Sequence, residues 1–196
     1  MAGTPDPSSF GARLTTAIDE TIVAHRALAD EAHGAAAEAA AVIREAVLGG
    51  RQVLVFGNGG SATDAQHFAT ELVVRFVAAR RAVAALALTT DGAVLTAAGN
   101  DLGFEAVFAR QIEALGRPGD VAVAITTSGR SANVTAAVQA ARARGMQTVA
   151  LTGRGGGELA GVVDVLVNVP GTSTARIQEL HRTWIHAVCE WIEGSL

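Results

Sequence analysis

The stretch VLVFGNGGS, residues 53–61, decides the fold: four apolar residues run straight into Gly57-Asn58-Gly59-Gly60-Ser61, and a helical pattern follows. A short, wholly apolar run closed by glycine has the pattern of a strand buried on both faces of a sheet. Glycines just after it permit positive φ and let a ligand approach the backbone closely. The helix start beyond them presents unpaired N–H groups and a partial positive charge to the same place. Working outward, residues 83–88, 121–126, 148–152 and 165–169 read as four more buried strands, with helical stretches at 61–79, 104–115, 131–144 and 173–193. Upstream, residues 10–32 place Leu14, Ile18 and Ile22 at helical spacing, and residues 35–48 form a second helix closed by Gly49-Gly50. Strands alternating with helices predict an α/β fold whose parallel sheet is covered on both faces. Right-handed crossovers make it a three-layer α/β/α sandwich with a five-stranded, doubly wound sheet preceded by N-terminal helices. Residues 10–196 read as one domain, and the Pro- and Ser-rich residues 1–9 as a disordered start.

The 196-residue chain is 49% apolar and 17% charged, which excludes a disordered polymer and allows a core stable without disulfides or structural metals. A net charge of −4 with scattered arginines gives no electrostatic basis for nucleic-acid binding. The single cysteine, Cys189, excludes an internal disulfide and, set in an apolar helical pattern, reads as a buried inert thiol. The start of the chain lacks the basic and apolar segments of a signal peptide, and no apolar run reaches the ~20 residues of a membrane helix. The expectation is a cytoplasmic protein without membrane contact. Its positive mean hydropathy, +0.32, points to apolar surface buried between subunits.

The first turn is neither a dinucleotide fingerprint nor a Walker loop, because G-x-G-x-x-G and Gly-Lys-Ser/Thr are both absent from it. A second turn, Thr126-Thr127-Ser128-Gly129-Arg130-Ser131, again joins a buried strand to a helix. Its hydroxyls and amides suit a phosphate dianion. Without a ligand, the first is a tight strand–helix turn and the second a helix cap after a threonine-ended strand. Two such turns at one sheet edge favour a small phosphorylated ligand. Downstream of the first turn, His67 and Glu71 are four apart on one helix face and can chelate one ion, although such a pair also forms as a surface hydrogen bond. The last helix carries Gln178, Glu179, His181, His186, Glu190 and Glu193. Glu190 and Glu193 read as a solvated face. His181 and His186, five apart, point in different directions, and periodicity does not choose between them.

The motifs taken together resemble those of the phosphoheptose isomerases, within the sugar isomerase (SIS) domain superfamily. That family carries GNGGS, then D-A-x-H-F-A-x-E-L and an arginine. This chain has Gly57–Ser61, Asp64-Ala65-Gln66-His67-Phe68-Ala69-Thr70-Glu71-Leu72 and Arg75. The similarity continues through Leu88-Thr89-Thr90-Asp91, Gly99-Asn100-Asp101, Phe104-Glu105, Phe108-Ala109-Arg110-Gln111, the hydroxyl-rich turn, Ala150-Leu151-Thr152-Gly153 and 175–181. The resemblance implies a homotetrameric aldose–ketose isomerase that converts D-sedoheptulose 7-phosphate into D-glycero-D-manno-heptose 7-phosphate. It implies one zinc ion per subunit, on His67, Glu71, Gln178 and His186. Substrate would touch Asn58, Gly59, Gly60, Ser61, Glu71, Asn100, Asp101, Thr126, Thr127, Ser128 and Gln178, with Ser131 at the phosphate. Glu71 and His186 would be the acid–base pair. One departure is T-T-S-G-R-S at 126–131, where the family usually has S-T-S-G-N-S; threonine keeps the hydroxyl, and Arg130 adds a charge.

Isomerisation through an enediolate needs a base, an acid and stabilisation of the oxygens, which a carboxylate, an imidazole and a Lewis-acidic ion supply. Gln178 and His186 would be about 12 Å apart along one helix and about 80° apart around it. A shared ion therefore requires a distorted helix or completion of the site across a subunit interface. Two other readings exist within the superfamily: a non-enzymatic adaptor of the bacterial replication initiator and a sugar-phosphate-sensing regulator. The adaptor lacks residues matching Glu71 and His186, and no DNA-binding module accompanies the domain here.

Overall fold

The computed structural model describes residues 7–31, 33–171 and 173–196. Two helices, α1 (Pro7–Asp30) and α2 (Ala35–Leu48), precede the sheet. The rest alternates: β1 (Val53–Gly57), α3 (Gly60–Val73), β2 (Ala85–Ala87), α4 (Gly92–Asp101), α5 (Ala109–Leu115), β3 (Val121–Ile125), α6 (Ala132–Ala143), β4 (Gln147–Thr152), β5 (Val165–Asn168) and α7 (Thr174–Glu193). Short 3₁₀ turns cover Phe104–Ala106 and Arg154–Gly161. The five strands are all parallel, in the order β2-β1-β3-β4-β5, so the doubly wound sandwich read from the sequence is the fold observed.

Strand alternation explains the three layers. Val53, Val55, Val121, Val123, Ile125, Val149 and Leu151 pack under α2, α3 and α7, together with Ile43, Phe68, Leu72, Leu180 and Val188. Leu54, Phe56, Ala122, Ala124 and Ala150 face the other way, against Ile112, Val134, Ala137 and Val138 of α5 and α6. Every residue of β1 and β3 is buried, as a central parallel strand requires. The 2-1-3-4-5 order puts the topological switch between β1 and β3, where such sheets bind ligands beyond the strands' carboxyl ends. Both glycine- or hydroxyl-rich turns leave from these two strands.

Several boundaries differ from the sequence reading, for physical reasons. The disordered start expected at 1–9 lies mainly on residues 1–6, outside the described residues; α1 begins at Pro7. The helix expected over 61–79 stops at Val73, and the connector to β2 is tied to the last helix instead. The Glu193 carboxylate accepts the Phe76, Val77 and Ala78 N–H groups, the first two at 3.0 and 2.8 Å, and pairs with Arg80 Nε at 3.4 Å. Arg80 in turn donates to the Glu71 and Leu72 carbonyls at 2.5 and 2.8 Å. Glu193 is therefore a buried tie, with 5% side-chain exposure, and not the solvated residue its position suggested. Helix α4 was not foreseen: Asp91 caps it, its carboxylate accepting from the Ala93 and Val94 N–H groups at 2.9 and 3.0 Å. Cys189 is buried, its thiol pushed up to about 12 by that burial, in keeping with an inert role. Among the described residues no helix is long and apolar enough to cross a membrane.

The N–H bonds of the connector, led by that of Ala78, hold the Glu193 carboxyl below its ordinary value of 4.5. A lowered carboxyl contributes stability above its unfolded pKa, and the contribution is lost as pH falls through the folded value. Glu193→Gln is accordingly expected to lower Tm at pH 7 by on the order of 5 °C. The difference from wild type should close as pH falls below about 4 in calorimetric scans.

Candidate active site

Helix α3 starts at the switch-point crevice and runs parallel to α7. Gly60 meets Gln178, Asp64 pairs with Arg182, His67 meets His186, and the segment beyond α3 meets Glu193, so both chains advance in the same direction. The N-cap of α3 is Gly59, at φ +57 and without a side-chain cap bond. Ser61 is buried, and its N–H donates to the Asn58 carbonyl at 3.0 Å. A Cβ on Gly57 would lie 2.5 Å from the Ile125 carbonyl oxygen, so only glycine lets β1 end this close to β3.

The second turn has a similar construction. Thr126 is buried and its hydroxyl accepts from the Gly129 N–H at 3.3 Å; the Ser128 hydroxyl accepts from the Arg130 N–H at 3.3 Å. Gly129, at φ +64, and Gly157, at φ +54, press against each other's backbone, and the Glu158 N–H donates to the Gly129 carbonyl at 2.9 Å. A glycine run at 155–157 thus braces the hydroxyl turn, which the sequence reading had not connected to it. Ser131 occupies the N-cap of α6 but makes no side-chain cap bond. Among the described residues its hydroxyl and that of Thr127 have no protein partner, which leaves them and the α6 N–H groups free to receive an anion. Arg130 is exposed at the same turn.

On the α3–α7 seam the Nε2 atoms of His67 and His186 face each other at 2.8 Å, and Glu71 Oε1 stands 3.7 Å from His67 Nε2. Phe76 flanks His186, with ring centroids 5.6 Å apart. Burial first, then the Arg182 guanidinium and to a lesser extent His186, lower the His67 pKa against the opposing pull of Glu71 and Asp64. The favoured neutral imidazole is the form that ligates a metal or accepts a proton. Two imidazoles and a carboxylate are a zinc donor set, and His67 touches both of the other two side chains. Nitrogens on one tetrahedral ion would stand about 3.4 Å apart at Zn–N distances near 2.1 Å, so a small opening of the 2.8 Å pair admits it. Among the described residues no three His, Cys, Asp or Glu side chains already surround a common point.

Gln178 stands apart. Helix α7 is unbroken from Thr174 to Glu193, so the helix distortion considered above is absent. The Gln178 amide packs on Gly60, in an open cleft of about 280 Å³ lined also by Asp64, Glu179 and Arg182. His181 is fully buried, with Nε2 donating to the Thr152 carbonyl at 3.2 Å, so of the two histidines it is His186 that joins the site. Asn100 and Asp101 are exposed at the end of α4, bonded to each other at 2.6 Å; among the described residues neither hydrogen-bonds to either turn. Sequence reasoning missed Asn133, on the first turn of α6. It exchanges two amide hydrogen bonds with Asn58, at 2.8 and 2.9 Å, across the switch point.

Comparison with known proteins bears on the family and the fold. Residues 18–153 match the sequence profile of the SIS domain. A phosphoheptose isomerase of Geobacter sulfurreducens is 52% identical over 170 residues, covering 87% of this chain and 90% of the relative. The chain belongs to the phosphoheptose isomerase family. Solved phosphoheptose isomerases from Neisseria gonorrhoeae and Francisella tularensis superpose with TM-scores of 0.89 and 0.90, at 46% and 38% identity. They cover 94% and 93% of this chain, and 99% and 97% of their own lengths are matched. Membership makes the chain an isomerase of the SIS fold and sets the adaptor and regulator readings aside.

Placing a methyl group on Gly60 forces the Gln178 amide to move while leaving a good helix former at the start of α3. Gly60→Ala is expected to lower kcat/KM at least about tenfold with Tm within about 2 °C of wild type. Steady-state kinetics and thermal scans of the same preparation check both halves.

Proposed function

We propose that the chain interconverts D-sedoheptulose 7-phosphate and D-glycero-D-manno-heptose 7-phosphate through an enediol. The observation that carries this reading is the meeting of His67, beside Glu71 on the helix that begins at the switch-point crevice, with His186 of α7. The phosphate sits at 126–131, on the free Thr127 and Ser131 hydroxyls and the uncapped α6 amides, with Thr126 and Ser128 shaping the turn. The sugar lies along Asn58, Gly59, Gly60 and Ser61, with Asn100 and Asp101 contacting its hydroxyls.

Glu71 takes a proton from C1 of the ketose, and His186 gives one to the C2 carbonyl oxygen. The enediol then receives a proton at C2 and loses one from the C1 hydroxyl, which yields the aldose. Before an ion enters, the neutral His67 imidazole keeps His186 oriented through the 2.8 Å contact. A zinc ion on His67, Glu71 and His186, one per subunit, would supply Lewis-acid polarisation of the carbonyl. Because α7 is straight, Gln178 joins that set only from a second copy, which fits a homotetramer and the exposed apolar residues Phe10, Leu14, Ile18 and Ile22 along α1. The enzyme works in the cytoplasm.

Mass and NMR analysis of sedoheptulose 7-phosphate incubated with the protein tests the reading. The expected result is the aldose 7-phosphate, its formation abolished by chelator and restored by zinc; no aldose from the wild type contradicts it. Glu71→Gln and His186→Gln are expected to lower kcat by about 10²–10⁴-fold, and full activity in either variant contradicts the roles given to them.

A further inference from the structure

We propose that Asn133 is a positioning residue that locks Asn58 into its substrate-binding orientation and couples the two ligand turns at the switch point. The proposal rests on the function proposed above and adds a residue to it. Asn133 lies on the first turn of α6 and is only 3% exposed, whereas Asn58, in the turn after β1, is half-buried. Asn58 Nδ2 donates to Asn133 Oδ1 at 2.8 Å, and Asn133 Nδ2 donates to Asn58 Oδ1 at 2.9 Å. A primary amide has two N–H donors and an oxygen with two lone pairs. The reciprocal pair uses one donor and one lone pair of Asn58, leaving the other N–H and the other lone pair available to a ligand on the open side.

The location gives the pair its consequence. Gly57 and Ile125 are register partners at the ends of β1 and β3, and the strands part just beyond them. Helices α3 and α6 begin within a few residues of that point, and neither N-terminus is closed by a side-chain cap. Among the described residues the amide pair is a side-chain link between these two helix starts, carrying the β1–β3 backbone pairing one step further to the sugar turn and the phosphate turn. Without Asn133 the half-buried Asn58 amide would be free to rotate, and a ligand would have to order it again on binding. That cost falls equally on ground state and transition state, so it appears in KM and not in kcat.

The test is steady-state kinetics of Asn133→Ala and Asn133→Asp with sedoheptulose 7-phosphate, beside calorimetric binding of the same sugar phosphate. Asn133→Ala is expected to raise KM about tenfold with kcat within about threefold of wild type. Asn133→Asp carries a carboxylate that accepts from Asn58 but cannot donate. Protonation restores an O–H donor beside a carbonyl acceptor, so its KM, taken as a ratio to wild type at each pH, should fall as pH is lowered toward 5. A purely structural role lowers Tm and the active fraction instead, reducing apparent kcat with KM unchanged, and that result overturns the proposal. So does equal sugar-phosphate affinity in wild type and Asn133→Ala. Wild type that binds the sugar phosphate without converting it refutes the proposed function while the binding comparison still decides on Asn133; wild type that does neither refutes both.

Discussion

The parallel packing of α3 against α7 is the constraint on which the site depends. Both helices lie on the same face of the sheet, and their inner residues, Phe68 and Leu72 on one and Leu180 and Val188 on the other, are buried in one core. That burial fixes their rotation. Once Phe68 and Leu72 point inward, His67 and Glu71 fall on the flank facing α7, and His186 falls opposite them. The same seam carries Asp64 with Arg182 at one level and the connector with Glu193 at another. The polar residues are thus held in line by apolar packing, and the polar contacts set the axial register.

The crevice is a separate device joined to the seam by α3. Parallel strands in the order 2-1-3-4-5 diverge at β1 and β3, and two helix N-termini open into the gap. Neither start is closed by a side-chain cap, which costs some helix stability but leaves N–H groups for an anion. Arg130 places a charge at the rim of this site, beside donors that are otherwise neutral.

The strands were legible because a parallel strand buried on both faces has to be apolar throughout, as β1 and β3 are. The two turns and the His67/Glu71 spacing were legible for the same kind of reason: glycine, hydroxyls and an i, i+4 pair have few other uses together. Pattern misled where tertiary contacts overrode it. Val74, Phe76 and Val77 continue a helical rhythm beyond Val73, but Glu193, over a hundred residues away in sequence, captures that backbone, with Arg80 paired to it. Helix α4 contains two glycines and was passed over, although Asp91 marks its start. Asn133 carried no periodic or motif signal, because the partner that gives it meaning lies 75 positions away. Gln178 shows the opposite limit: its likeness to a family ligand and its separation from His186 were both visible in the sequence, and only the unbroken α7 decides against a distorted helix.

The central claim is that His67 on α3 and His186 on α7 act as one unit. A double-mutant cycle on kcat/KM, with His67→Ala, His186→Ala and the pair together, tests it most directly. The account predicts that the double variant is no worse than the more damaged single variant, since removing either member dismantles the same site. Losses that multiply, as for two independent residues, would contradict it.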